Sequence, residues 1–156
     1  MDMVRNVLFL GTVNGARSVM AQCILARLGE GCFRVFSAGS RPSDGLESLV
    51  VEFLRSRGHA IETFRPMTWD DFAGEGAPAL DIVVTLSNSL IGDICSVHWT
   101  GRPVTSHWPL RHPTEWGELE NAYDLLESRI ERLVALPFES LDQVSLQAAL
   151  DAIGRD

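Results

Sequence analysis

The stretch Gly11-Thr12-Val13-Asn14-Gly15-Ala16-Arg17-Ser18 gathers residue types that suit a charged ligand. Gly11 and Gly15 permit close backbone approach, Asn14 tolerates left-handed backbone, and Arg17 can offer a planar fork to two oxygens. The chemistry these residues suit is oxyanion binding by main-chain N–H groups. It requires that the stretch join a strand to the N-terminus of a helix, where the helix dipole adds positive potential. A surface turn whose arginine sits in an ordinary ion pair would use the same residues, so the motif alone leaves both readings open. A nucleotide-phosphate loop of the Gly-x4-Gly-Lys-Ser/Thr kind does not fit. Three residues separate Gly11 from Gly15, and Ala16-Arg17 stands where Gly-Lys is needed. The cysteines Cys23, Cys32 and Cys95 are odd in number and widely spaced, with no CxxC. They read as buried small side chains in a reducing compartment.

The elements around the stretch meet the requirement. Val4 to Leu10 is a short apolar run ending in glycine, the pattern of a strand buried on both faces, and Arg17 to Leu28 carries Met20, Cys23, Ile24 and Leu28 at helical spacing. Cys32 to Ala38 reads as a second strand. Asp44 and Glu47 read as a capping box that opens a helix with Leu46, Leu49, Val50, Phe53 and Leu54 on its apolar face, ended by Gly58. A short helix over Thr68 to Phe72, a strand over Leu80 to Leu86 and a fourth strand over Pro103 to Trp108 come next. Helices over Glu118 to Leu136 and Leu141 to Ile153 close the pattern, the last ended by Gly154. Strands alternating with helices imply a doubly wound α/β domain with a parallel sheet and helices on both faces. In that architecture ligands bind beyond the carboxyl ends of the strands, which is where the 11–18 stretch falls.

Composition narrows the function. The chain has 156 residues, 46% of them hydrophobic and 22% charged, which fits one domain over residues 1–156. The 21 acidic residues against 13 basic ones give a net charge of −8, a poor match to nucleic acid or an anionic bilayer. Every basic residue is arginine, so lysine Schiff-base chemistry is out of reach. No apolar run approaches a signal-peptide core or a membrane span, and a cytoplasmic location is expected.

Several segments, in order, resemble the low-molecular-weight protein tyrosine phosphatase superfamily, and most closely its arsenate reductase branch. They are Val7-Leu8-Phe9-Leu10, Asn14-x-Ala16-Arg17-Ser18, Phe36-Ser37-Ala38-Gly39 and Asp81-Ile82-Val83-Val84-Thr85-Leu86. To these add Trp99-x-Gly101-x-Pro103-Val104-Thr105-x-His107-Trp108 and Leu136-Pro137-x-x-Ser140-Leu141-Asp142. The resemblance implies a four-stranded parallel sheet and an oxyanion site in the loop, with phosphate, arsenate or sulfate as ligand and no cofactor. It also shows what this chain lacks. The family's nucleophilic cysteine falls at Gly11, the acid of its Asp-Pro pair at His112, and the first relay cysteine of the arsenate reductases at Ser87, while Cys95 matches the second. No covalent intermediate can form on Gly11. Loss of a nucleophile removes rate enhancement but not positioning or electrostatics, so Thr12, Val13, Asn14, Gly15, Ala16, Arg17 and Ser18 would still hold an anion. His112 and Arg111 are candidates for its rim, since a cationic side chain there would pair with an anion that an aspartate repels. Trp99, Trp108 and Trp116 are candidates for a ligand-facing wall, and Cys23 reads as packing rather than as a replacement nucleophile.

Three functions remain open on these grounds. The first is an oxyanion-binding pseudoenzyme. The second is an arsenate reductase or phosphatase with a nucleophile from outside position 11, and the third is a protein-interaction module on the same fold.

Overall fold

The computed structural model describes residues 4–88 and 97–155. Four parallel strands form one sheet in the order β2-β1-β3-β4: β1 (Arg5–Gly11), β2 (Phe33–Gly39), β3 (Leu80–Thr85) and β4 (Gly101–His107). The helices are α1 (Ala16–Leu28), α2 (Ser48–Ser56), α3 (Trp116–Val134) and α4 (Gln143–Gly154), with short 3-10 turns at Trp69–Phe72 and Phe138–Ser140. The α/β expectation of a four-stranded parallel sheet holds.

Alternation along the central strands places the core. Val7 and Phe9 of β1, with Ile82 and Val84 of β3, face one way and pack with the apolar stripes of all four helices. Leu8, Leu10 and Val83 face the other way, where Phe72, Trp69 and Trp99 cover them. With both faces covered, the central strands are apolar along their length.

Helix ends shift by a residue or two from the sequence expectation, and one start signal fails outright. The capping box at Asp44 and Glu47 does not form. Helix α2 starts at Ser48 with Glu47 as an N-cap that makes no side-chain bond, and Leu46 lies ahead of the helix. The reason is tertiary: the Arg41 and Ser43 amides are bonded to the carbonyls of Thr12 and Val13 at 2.7 and 3.1 Å, so this stretch tracks the 11–18 loop instead of coiling. The last helix ends at Gly154, as expected. Gly154 is its final residue, where a Cβ would sit 2.5 Å from Trp108 Cδ1, so glycine there also lets the helix close on the tryptophan. Trp69–Phe72 is a 3-10 turn capped by Thr68, whose Oγ1 accepts from the Asp70 amide.

The strand register brings the ends of the strands level. Gly11 pairs with Gly39, Leu10 with Thr85, and Thr85 with His107. The 11–18 loop leaves the sheet at this edge.

Candidate anion site at the strand ends

The loop between β1 and α1 is shaped by a few specific bonds. Asn14 has φ of 54° and is fully buried, the left-handed conformation that asparagine tolerates. Its Oδ1 accepts from the Met67 amide at 2.9 Å, and its Nδ2 donates to Ser18 Oγ at 3.0 Å. The carbonyls of Thr12 and Val13 are held by the amides of Arg41 and Ser43. In a trans peptide the next residue's N–H points opposite to the carbonyl, so the Val13 and Asn14 amides point away from the 41–43 segment. Among the described residues no protein group accepts from the amides of Val13 to Ser18. The last three open α1, where unpaired N–H groups and the helix dipole favour negative charge. Gly39 makes the arrangement possible, because a Cβ there would come within 2.6 Å of both Asn14 N and Thr12 O.

Arg17 is half-buried and turned toward the strand ends. Its Nη1 donates to Leu110 O at 2.9 Å and to Leu86 O at 3.3 Å, joining the end of β3 to the loop after β4. Burial lowers its pKa, and a guanidinium remains cationic regardless. With Nη1 committed to carbonyls, Nε and Nη2 form the side-on pair that matches two oxygens of an oxyanion. Amides and guanidinium thus belong to one loop, and the arrangement suits binding of a tetrahedral anion.

Position 11 ends β1 and carries no side chain. A Cβ there would lie 3.4 Å from Ser18 Oγ, an ordinary contact, so the backbone does not demand glycine. Ser87 is buried and its hydroxyl pairs with Thr12 Oγ1 at 3.0 Å. His112 and Arg111 are exposed. They line a cavity of about 310 Å³ between the post-β4 loop and α3, with Pro113, Asn121 and Leu125 among its walls. No hydrogen bond or ion pair joins either to the 11–18 loop among the described residues, although Leu110, beside them, is bonded to Arg17. Cys95 lies outside the described residues. Cys23 sits in α1 with its thiol pushed up to about 11, chiefly by burial and despite the nearby Arg27 charge, so it remains protonated near neutrality.

The tryptophans do not form a common wall. Trp108 is fully buried, donates Nε1–H to Leu150 O at 3.0 Å and packs near Phe9. Trp116 packs edge-on against Phe53, and Trp99 pairs with Trp69 on the other side of the sheet. Their closeness in sequence reflects separate packing duties.

Sequence patterns gave no sign of the outer supports of the loop: the Met67 amide, the Leu86 and Leu110 carbonyls, and a polar chain at His107. His107 Nε2 lies 2.9 Å from Asn88 Oδ1, an acceptor, so Nε2 carries the proton and Nδ1 accepts from Thr85 Oγ1 at 2.7 Å. Burial, the largest influence, lowers the His107 pKa and favours this neutral form. Among the described residues no group of three or more His, Cys, Asp or Glu is placed to hold a metal.

Comparison with known proteins places this arrangement. Residues 6–146 match the family model described as low molecular weight phosphotyrosine protein phosphatase. The chain belongs to this family. Among solved structures it is similar to the thioredoxin-dependent arsenate reductase of Corynebacterium glutamicum, with 25% identity and a TM-score of 0.62 over 83% of this chain. The match spans 60% of that longer protein. It is similar also to an arsenate reductase from Archaeoglobus fulgidus, with 25% identity and a TM-score of 0.65, covering 83% of this chain and 99% of that one. The tyrosine phosphatase Wzb from Escherichia coli K30, solved in complex with sulphate, shares the fold at 19% identity and a TM-score of 0.67, over 85% and 97% of the two chains. No helix among the described residues is long and apolar enough to cross a membrane.

Proposed function

We propose that this family member binds a tetrahedral oxyanion, phosphate, arsenate or sulfate, through the Thr12 to Ser18 backbone and Arg17, and does so without catalysis. One observation carries the reading. The loop keeps its amides, its left-handed Asn14 and an inward Arg17, while position 11 offers no side chain to form a bond. Absence of a thiolate also removes a negative charge that would repel the ligand. Of the thiols described, Cys23 is held protonated by burial, and Cys32 is exposed just ahead of β2, at the opposite end of the sheet from the loop. On this reading the chain acts as a single cytoplasmic domain that senses or holds its anion.

Phosphate should raise the Tm in proportion to the logarithm of its concentration, and Arg17→Ala should remove the rise. Hydrolysis of an aryl phosphate, or arsenite formation with a thiol donor, lost in Arg17→Ala, would instead establish an enzyme with a nucleophile from elsewhere. A second reading, a protein-interaction module, draws on Val13 and Met67, large apolar side chains left exposed beside the loop. No stabilisation by any tetrahedral oxyanion would favour that reading.

A further inference from the structure

The space at Gly11 bears on which oxyanion the loop prefers, an inference that rests on the oxyanion-binding function proposed for it. A Cβ built on Gly11 meets Ser18 Oγ at 3.4 Å and Ser18 Cβ at 3.7 Å, and beyond its chain neighbours no other atom of the described residues comes within 4 Å. Since Ser18 Oγ is the atom that Asn14 Nδ2 holds from within the loop, this direction points to the loop's interior. Gly15 differs, because a Cβ there would press on Val13 Cγ2 at 3.2 Å. The interior is therefore open beside Gly11.

The two parts of that interior differ in chemistry. The amides of Val13 to Ser18 and the Nε and Nη2 of Arg17 are strong donors that suit compact oxygens. Beside Gly11 there is a bare α-carbon and one hydroxyl. Ser18 Oγ accepts from Asn14 Nδ2 at 3.0 Å, and its own proton has only a long 3.4 Å contact with Gly15 O, which it can leave for a better acceptor. A compact oxygen placed there gives up several hydrogen bonds to water for one. A larger, polarizable atom with diffuse charge loses less on leaving water and fills the space with dispersion contacts.

We propose that the preferred ligands are tetrahedral oxyanions with one terminal sulfur, the class of thiosulfate, thiophosphate and thioarsenate. The oxygens lie on the amides and Arg17, and the sulfur occupies the space beside Gly11 and Ser18. No bond to the protein is made or broken.

Calorimetric titration of the full chain at constant ionic strength tests this by comparing thiosulfate with sulfate and thiophosphate with phosphate. The sulfur-bearing member of each pair is expected to bind about five-fold more tightly or better. In Gly11→Ala, whose methyl fits with ordinary contacts but fills the space, the ratio is expected to fall to near one. Methylphosphonate, with an uncharged arm of similar size, should bind more weakly than thiophosphate. Equal or weaker binding of the thio-anions, an unchanged ratio in Gly11→Ala, or methylphosphonate matching thiophosphate would each overturn the proposal. If sulfate binds without any preference for thiosulfate, this inference alone fails, whereas if neither anion binds, the oxyanion reading fails with it.

Discussion

Gly11 and Gly39 face each other at the ends of β1 and β2, yet glycine is present at the two positions for different reasons. At Gly39 the fold requires it, because the 12–14 backbone crosses 2.6 Å from where a Cβ would stand. At Gly11 a Cβ would meet nothing closer than 3.4 Å among the described residues, so the fold does not require glycine there. The comparison shows how a loop of this kind can do without a side chain at position 11 and keep its shape. The loop is held from behind by Asn14, by the Arg41 and Ser43 amides and by the room at Gly39, none of which depends on what position 11 carries.

The largest expected effect breaks the structural member of that pair. Gly39→Ala should lower the unfolding free energy by about 3 kcal/mol and abolish stabilisation by phosphate, whereas Gly11→Ala should change stability by no more than about 0.5 kcal/mol. Urea denaturation of both variants measures the contrast, and similar losses at the two positions would contradict it. Asn14→Ala comes next. It leaves the Met67 amide without its acceptor and puts alanine in left-handed backbone, for an expected loss of about 2 kcal/mol on the same assay.

Acid tests the outer support of the loop. His59, at the start of the segment that ends on Met67, is buried with its Nε2 2.7 Å from Tyr123 Oη. Burial, with the Arg27 and Arg57 charges, holds its pKa down to about 4. The unfolded chain regains an ordinary value of about 6.5, so below that pH it binds a proton that the folded chain refuses. His59 therefore contributes stability in full above about pH 6.5 that is lost as pH falls toward 4, roughly 1–2 kcal/mol of it by pH 5. A stability profile flat from pH 7 to 5 would contradict this assignment. The smallest effect is expected at the rim: His112→Ala, at an exposed position, should shift stability by under about 0.5 kcal/mol and leave Asn14 and Arg17 in place. A large loss would mean that the 109–113 loop supports the site more than its bonds indicate.

Legibility in the sequence tracks the range of the forces involved. The 11–18 loop announced itself because glycine, asparagine and arginine were each present for a local reason, and the strands because they are buried on both faces. Strand ends moved by a residue or two, as for β4, which starts at Gly101 rather than Pro103. The false capping box at Asp44 shows a local signal overruled by bonds from Arg41 and Ser43 to a loop some thirty residues earlier. The partners of Arg17, 69 and 93 residues away, leave no trace in any window of sequence. The tryptophans misled for the same reason: proximity along the chain says nothing about which face each one enters.

The central claim is that the loop holds a tetrahedral anion through its amides and Arg17 with no nucleophile at position 11. Calorimetric titration of the wild-type chain with phosphate, repeated on Arg17→Ala of matched fold by circular dichroism, tests it most directly. Saturable one-to-one binding by the wild type and none by the variant is the expected result. Binding that survives in Arg17→Ala, or no binding by the wild type, would contradict it.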